Sequence, residues 1–319
     1  MKTSFNILLS ILLTSALLAG NIEASTKKQH SRFSIAISGG ASKGAYEAGL
    51  NWSAIKMVRD APLKNLTVGQ FSQFEAGSIT GASAGGINTL LSGLSWCSLD
   101  EKDGGISNRI DNNIFRDIWL RVDINTLLPE QADSPIYLPD DAVLSRRDFL
   151  DAASELREKW STPSFRKDCR VPLAVTVTKI EPEVLNVGDV EVQNQRFYIP
   201  FELQVINDNT IKFFFDPADY PKVADPSMIL MPRAHDAQPL SIDNESVINA
   251  AFTTSAFPMA FGRKRLQYCR LVAQQTSINA EVTEETSQVP ALKKAASKDP
   301  TASSTDTGPV RALIHIAEP

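Results

Sequence analysis

The residues Gly81-Ala82-Ser83-Ala84-Gly85 carry the pattern Gly-x-Ser-x-Gly. Before them runs a β-type stretch, residues 74–80, and after them a helix-compatible stretch, residues 87–96. A serine between small residues on a sharp strand-to-helix turn is a nucleophile elbow. It lifts a hydroxyl clear of the backbone at the carboxyl end of a strand, where an acyl carbonyl can reach it. The chemistry this arrangement supports is acyl transfer through Ser83.

A second loop lies upstream. Residues 32–38 read as a short apolar strand that enters Gly39-Gly40-Ala41-Ser42-Lys43-Gly44, and a helical pattern follows from Ala45 to about Asp60. A Gly-rich loop opening a helix offers backbone N–H groups at the positive end of the helix dipole, which suits a phosphate or the oxyanion of a tetrahedral intermediate. The phosphate reading fits poorly. A dinucleotide loop needs glycine at its third place, where Ala41 stands, and a P-loop needs Lys followed by Ser or Thr, whereas Lys43 precedes Gly44.

Together these loops resemble those of the patatin-like phospholipase family, which pairs Gly-Gly-Gly-x-(Lys/Arg)-Gly with a later Gly-x-Ser-x-Gly. A third stretch, residues 250–261, is similar to the family's Pro-containing segment. The resemblance spans about residues 32–268. It implies a three-layer patatin-like fold and a serine hydrolase of phospholipids or other lipid esters. Ser83 would be the nucleophile, Gly81, Ala82, Ala84 and Gly85 the elbow, and the loop from Gly39 to Gly44 the oxyanion hole. No cofactor and no metal are implied.

The family also implies an aspartate in an Asp-Gly-Gly or Asp-Gly-Ala turn after the Pro segment. No such turn follows Phe261, so the chain is expected to stop before the strand that carries the acid. The single Asp-Gly-Gly, at Asp103, lies shortly after the elbow helix, out of family order, and reads as a solvated turn with only a weak claim to be the base. Histidine is scarce: His30, His235 and His315 are the full set, which favours a Ser–Asp dyad over a triad. Two functions therefore compete, a lipid acyl hydrolase and an impaired relative that binds lipid or a protein partner.

Around these loops, strands alternating with helices predict an α/β chain with a mostly parallel sheet covered on both faces. Within residues 113–128, residues 114–120 are spaced like an amphipathic helix, with Phe115 and Trp119 expected to face the core rather than lipid. Residues 147–160 read as a helix, and residues 171–178 as a central strand. Residues 196–205 and 211–215 read as a hairpin or small β insertion turned at Asn207-Asp208-Asn209, and residues 246–254 as a short helix.

Met1 to Ala24 reads as a signal peptide, with an apolar run from Ile7 to Leu18. Export to the periplasm, outer membrane or medium is the expectation. Residues 32–270 form the expected catalytic domain, 279–308 a biased segment expected to be disordered, and 309–319 a short terminal piece. Three cysteines, Cys97, Cys169 and Cys269, allow one disulfide without saying which; buried thiols are the default. A net charge of −5 argues against nucleic acid as a partner and leaves transient contact with a membrane surface to local apolar groups.

Overall fold

The computed structural model describes residues 30–40, 43–63, 71, 73–128, 134–187, 189–216, 225–232, 241–256, 260–270 and 311–316. The expected signal peptide, the biased segment, Ala41, Ser42, His235 and Pro258 lie outside these residues. The chain divides into two compact units, residues 1–33 with 56–75 and residues 34–55 with 76–319. In the first, Arg32 pairs with Glu75 at 3.0 Å and Phe71 meets Phe74 edge to face at 6.4 Å. The second holds the candidate site.

The strands are β1 (His30–Ile37), β2 (Gln73–Ala82), β3 (Asn108–Arg109), β4 (Asn112–Asn113), β5 (Arg170–Val187), β6 (Val190–Val205), β7 (Ile211–Phe214), β8 (Ser241–Ile242), β9 (Lys264–Cys269) and β10 (Arg311–Ile316). The helices are α1 (Gly44–Leu63), α2 (Ala84–Cys97), α3 (Ile114–Trp119), α4 (Ile124–Leu127), α5 (Arg147–Trp160) and α6 (Asn244–Ser255). The main sheet runs β1-β2-β5-β6-β7-β8, and β10 joins β5 to β9. This is the expected α/β class, a mixed sheet flanked by helices.

The parallel pairing of β2 with β5, Ala82 opposite Thr176, carries the elbow. The antiparallel pairings of β5 with β6, β6 with β7 and β7 with β8 extend the same sheet. The β insertion expected at residues 196–215 is thus larger than its local pattern suggested. β5 runs ten residues beyond the expected strand in total, because the long β5–β6 ribbon pairs on past the irregularity between Thr178 and Glu183.

Alternation along the strands builds the core. Val171, Leu173, Val175 and Val177 of β5 and Phe197, Ile199, Phe201 and Leu203 of β6 are all buried. Phe213 packs edge to face on Trp160 at 5.4 Å and on Phe201 at 5.8 Å. Helix α2 is buried along all its residues, which its apolar and small composition permits. Helix α5 buries only Ala152, Ala153, Leu156 and Trp160, one stripe at a spacing of three and four.

The helix expected at residues 114–120 is α3, and a second short helix, α4, follows it. Asn113 caps α3 by accepting the Arg116 N–H at 3.0 Å, and Asp123 Oδ1 accepts the Asn125 and Thr126 N–H groups at the start of α4. Phe115 and Trp119 face the core as expected, at 2% and 7% exposure. Cys97 and Cys169 form a disulfide that ties the end of α2 to the start of β5, which corrects the default of buried thiols for that pair; Cys269 stays a buried thiol outside the disulfide. Among the described residues no helix is long and apolar enough to cross a membrane.

Candidate active site

Ser83 follows the last residue of β2 and precedes the first of α2, with φ 55° and ψ −129°. This left-handed backbone is uncommon for a non-glycine residue and turns the chain sharply from strand to helix. The turn closes only because its flanks lack side chains. A Cβ on Gly81 would lie 2.1 Å from the Gly85 carbonyl oxygen, and one on Gly85 would lie 2.6 Å from the carbonyl oxygens of Ile37 and Ser38. The Gly-x-Ser-x-Gly pattern is thus a steric requirement of the turn.

The elbow is also held from outside. The Ser83 N–H donates to Thr254 Oγ1 at 2.8 Å, and the Thr254 hydroxyl donates to the Thr176 carbonyl at 2.5 Å. One threonine on α6 therefore joins the serine to the neighbouring strand. Thr254 falls in the stretch similar to the family's Pro segment, yet nothing local marks it for this contact.

The Gly-rich loop lies against the serine. A Cβ on Gly39 would sit 2.9 Å from Ser83 Cβ. The Gly40 carbonyl accepts the N–H groups of Lys43 at 2.9 Å and Gly44 at 3.1 Å, a turn that leads into α1. Among the described residues, neither the Gly39 nor the Gly40 N–H meets a backbone acceptor. Free donors next to a nucleophile are what an oxyanion hole requires. Lys43 is exposed.

Side chains outside the two glycine motifs secure this loop. Asn88, wholly buried on α2, donates to the Gly44 carbonyl at 3.0 Å and accepts the Trp119 indole N–H at 2.7 Å. The Trp119 ring lies over Gly44 so closely that a Cβ there would be 2.2 Å from it. On the other side, the Ser38 hydroxyl donates to Glu47 Oε1 at 2.8 Å, and Glu47 Oε2 is buried without a partner. The available signal was Asn88 itself, a polar residue inside an apolar helix, which when buried must find partners.

Asp103 is not part of this cluster. It ends a short 3₁₀ turn beyond the carboxyl end of α2, is exposed, and is followed by Gly104 at φ 85°. Ser83 lies at the other end of that helix, roughly 20 Å away by its rise per residue. Asp103 is therefore a solvated turn residue and cannot take a proton from Ser83. Among the described residues no carboxylate or imidazole is hydrogen-bonded to Ser83. Nor do those residues hold a group of three or more His, Cys, Asp or Glu side chains able to bind a metal ion.

A family model described as patatin-like phospholipase matches residues 35–273. No curated protein matches the chain, and no solved structure does.

Proposed function

The chain belongs to the patatin-like phospholipase family, and from that membership we propose that it is a serine-dependent lipid acyl hydrolase with Ser83 as nucleophile. Family membership supports hydrolysis of lipid esters. The observation that supports Ser83 in particular is its φ of 55° and ψ of −129° on a turn that excludes side chains at Gly81 and Gly85. Strain at such a residue marks a position kept for function.

In this reading the Ser83 hydroxyl attacks the ester carbonyl and forms an acyl-enzyme. The N–H groups of Gly39 and Gly40 receive the oxyanion, and the amino end of α2 adds its positive dipole. Ala41, in place of the family's glycine, keeps its backbone N–H, and its added methyl group bears on how closely a substrate approaches that donor. Loss of one such donor elsewhere costs about 3 kcal/mol of transition-state stabilisation. Water then releases the fatty acid.

Export fits the same reading. The disulfide between Cys97 and Cys169 suits an oxidising compartment, as does the apolar stretch at residues 7–18. The expected partner is a lipid ester presented at a membrane surface, with transient contact there. One observation favours the second reading, a binding module without turnover: no base touches Ser83 among the described residues.

Fluorophosphonate labelling of the full chain beside Ser83→Ala separates the two. Labelling of the parent alone supports the hydrolase. Two folded, unlabelled proteins would remove it and leave the binding module.

A further inference from the structure

Ser83 stands where a helix commonly uses a serine hydroxyl as its cap, yet its side chain makes no capping bond. The hydroxyl is thus kept from the backbone, and the strained turn is held by another residue. That residue is Thr254, 171 positions away in sequence and 1% exposed. A hydroxyl has one proton to donate and two lone pairs. Thr254 gives its proton to the Thr176 carbonyl at 2.5 Å, so toward Ser83 it can only accept, and it takes the backbone N–H at 2.8 Å. The two bonds in series fix the elbow to β5, the strand on which Thr176 lies opposite Ala82.

The methyl end of the threonine is fitted as closely as the hydroxyl. A Cβ on Gly86 would lie 2.2 Å from Thr254 Cγ2 and 3.2 Å from both Thr254 Cβ and Oγ1. Gly86 is outside the Gly-x-Ser-x-Gly pattern, which ends at Gly85. Glycine inside a helix is less favourable than alanine, so its place in the first turn of α2 needs a reason. The reason on this face is room for Thr254. Helix α6, which brings Thr254, is itself fixed: Asp243 accepts the Ser246 N–H at 3.1 Å at its start, and Arg157 of α5 pairs with Glu245 at 2.6 Å.

We propose that Thr254 is the positioning residue of the nucleophile and that Gly86 is the glycine that admits it. Thr254 meets no substrate and takes no proton from Ser83. It holds the Ser83 backbone in the conformation that presents the hydroxyl. Its effect on reactivity rests on the hydrolase reading; its hold on the elbow does not. Both ends of the side chain are needed, which distinguishes threonine from its near relatives. Valine has the shape without the bonds and leaves the Ser83 N–H and the Thr176 carbonyl unpaired. Serine keeps the bonds and lacks only the methyl group.

The rate of fluorophosphonate labelling, read beside amide hydrogen exchange at Ser83 in full chains checked for folding by circular dichroism, tests this. Thr254→Val should slow labelling at least about tenfold, the effect expected from one lost hydrogen bond, and should speed exchange of the Ser83 amide. Thr254→Ser should stay within about threefold of the parent in both, since it keeps the two bonds. Gly86→Ala should slow labelling as Thr254→Val does, although alanine suits a helix better than glycine. Adding Thr254→Ser to Gly86→Ala removes the atom 2.2 Å from the new methyl group and should recover most of the rate. Labelling of Thr254→Val or Gly86→Ala at the parent rate, or a double variant no faster than Gly86→Ala, would overturn the proposal. If Thr254→Val does not fold, Gly86→Ala and its double variant carry the test by themselves. A parent that does not label removes the hydrolase reading, and exchange then decides the hold on the elbow. Faster exchange at Ser83 in Thr254→Val or in Gly86→Ala would support that hold, and exchange at the parent rate in both would overturn it.

Discussion

One added methyl group, Gly44→Ala, tests how the Gly-rich loop is held. The new Cβ would sit 2.2, 2.5 and 2.8 Å from three atoms of the Trp119 ring, so the ring must retreat by about 1 Å to reach ordinary contact. It cannot do so freely, because its N–H is bound to Asn88 at 2.7 Å and Asn88 is bound to the Gly44 carbonyl at 3.0 Å. Overpacking of this kind costs ~1–3 kcal/mol. Breaking the indole bond leaves the buried Asn88 oxygen unpaired, for ~1–3 kcal/mol more. The expected loss is therefore ~2–6 kcal/mol in urea unfolding followed by circular dichroism. Trp119→Phe removes both the bond and the part of the ring that meets the methyl group, and alone should cost ~2–3 kcal/mol. In the double variant the clash is gone and the bond is lost only once, so its cost should fall short of the sum by at least ~1 kcal/mol. A Gly44→Ala protein within ~0.5 kcal/mol of the parent, or strict additivity in the cycle, would refute this account of the loop.

Ser83→Gly should raise stability by ~1 kcal/mol while removing any labelling, because φ 55° strains serine and not glycine; an unchanged or lower urea midpoint would contradict that. Replacing both Cys97 and Cys169 by serine opens a link across 72 residues and should cost about 4 kcal/mol, measured beside the parent with and without dithiothreitol. Lys179 is 3% exposed and sits by the rings of Phe197 and Tyr268; burial, then the Arg270 charge, bring it down to about 7 despite its contact with Glu183. Its native value lies below its unfolded one, so the unfolded chain binds more protons between the two. Stability should therefore rise from pH 7 toward pH 10, and Lys179→Met should flatten that slope in urea melts at stepped pH.

Much of the site's outline was legible because it is local. The elbow needs glycine at 81 and 85 to turn about Ser83, and the Gly-rich loop needs to end at the amino end of α1; both demands fall on consecutive residues and leave a readable pattern. The helix at residues 147–160 and the hairpin at 196–215 were legible for the same reason, since hydrophobic period reports which side of an element is buried. Asp103 reads from sequence as a solvated turn residue and is one in the structure, because Asp-Gly-Gly specifies a turn through its own backbone.

Other features depended on partners far apart in the chain. The bonds from Asn88 to Gly44, from Trp119 to Asn88 and from Ser83 to Thr254 join residues 44, 31 and 171 positions apart. No local period records such a pairing. The choice of Cys97 with Cys169 among three cysteines and the extension of the β insertion into the main sheet are of the same kind. Sequence by itself determined which backbone turns were possible, because sterics act within a few residues. Tertiary packing decided which polar atoms met inside the fold, because burial forces each to find a partner wherever the chain has brought one near.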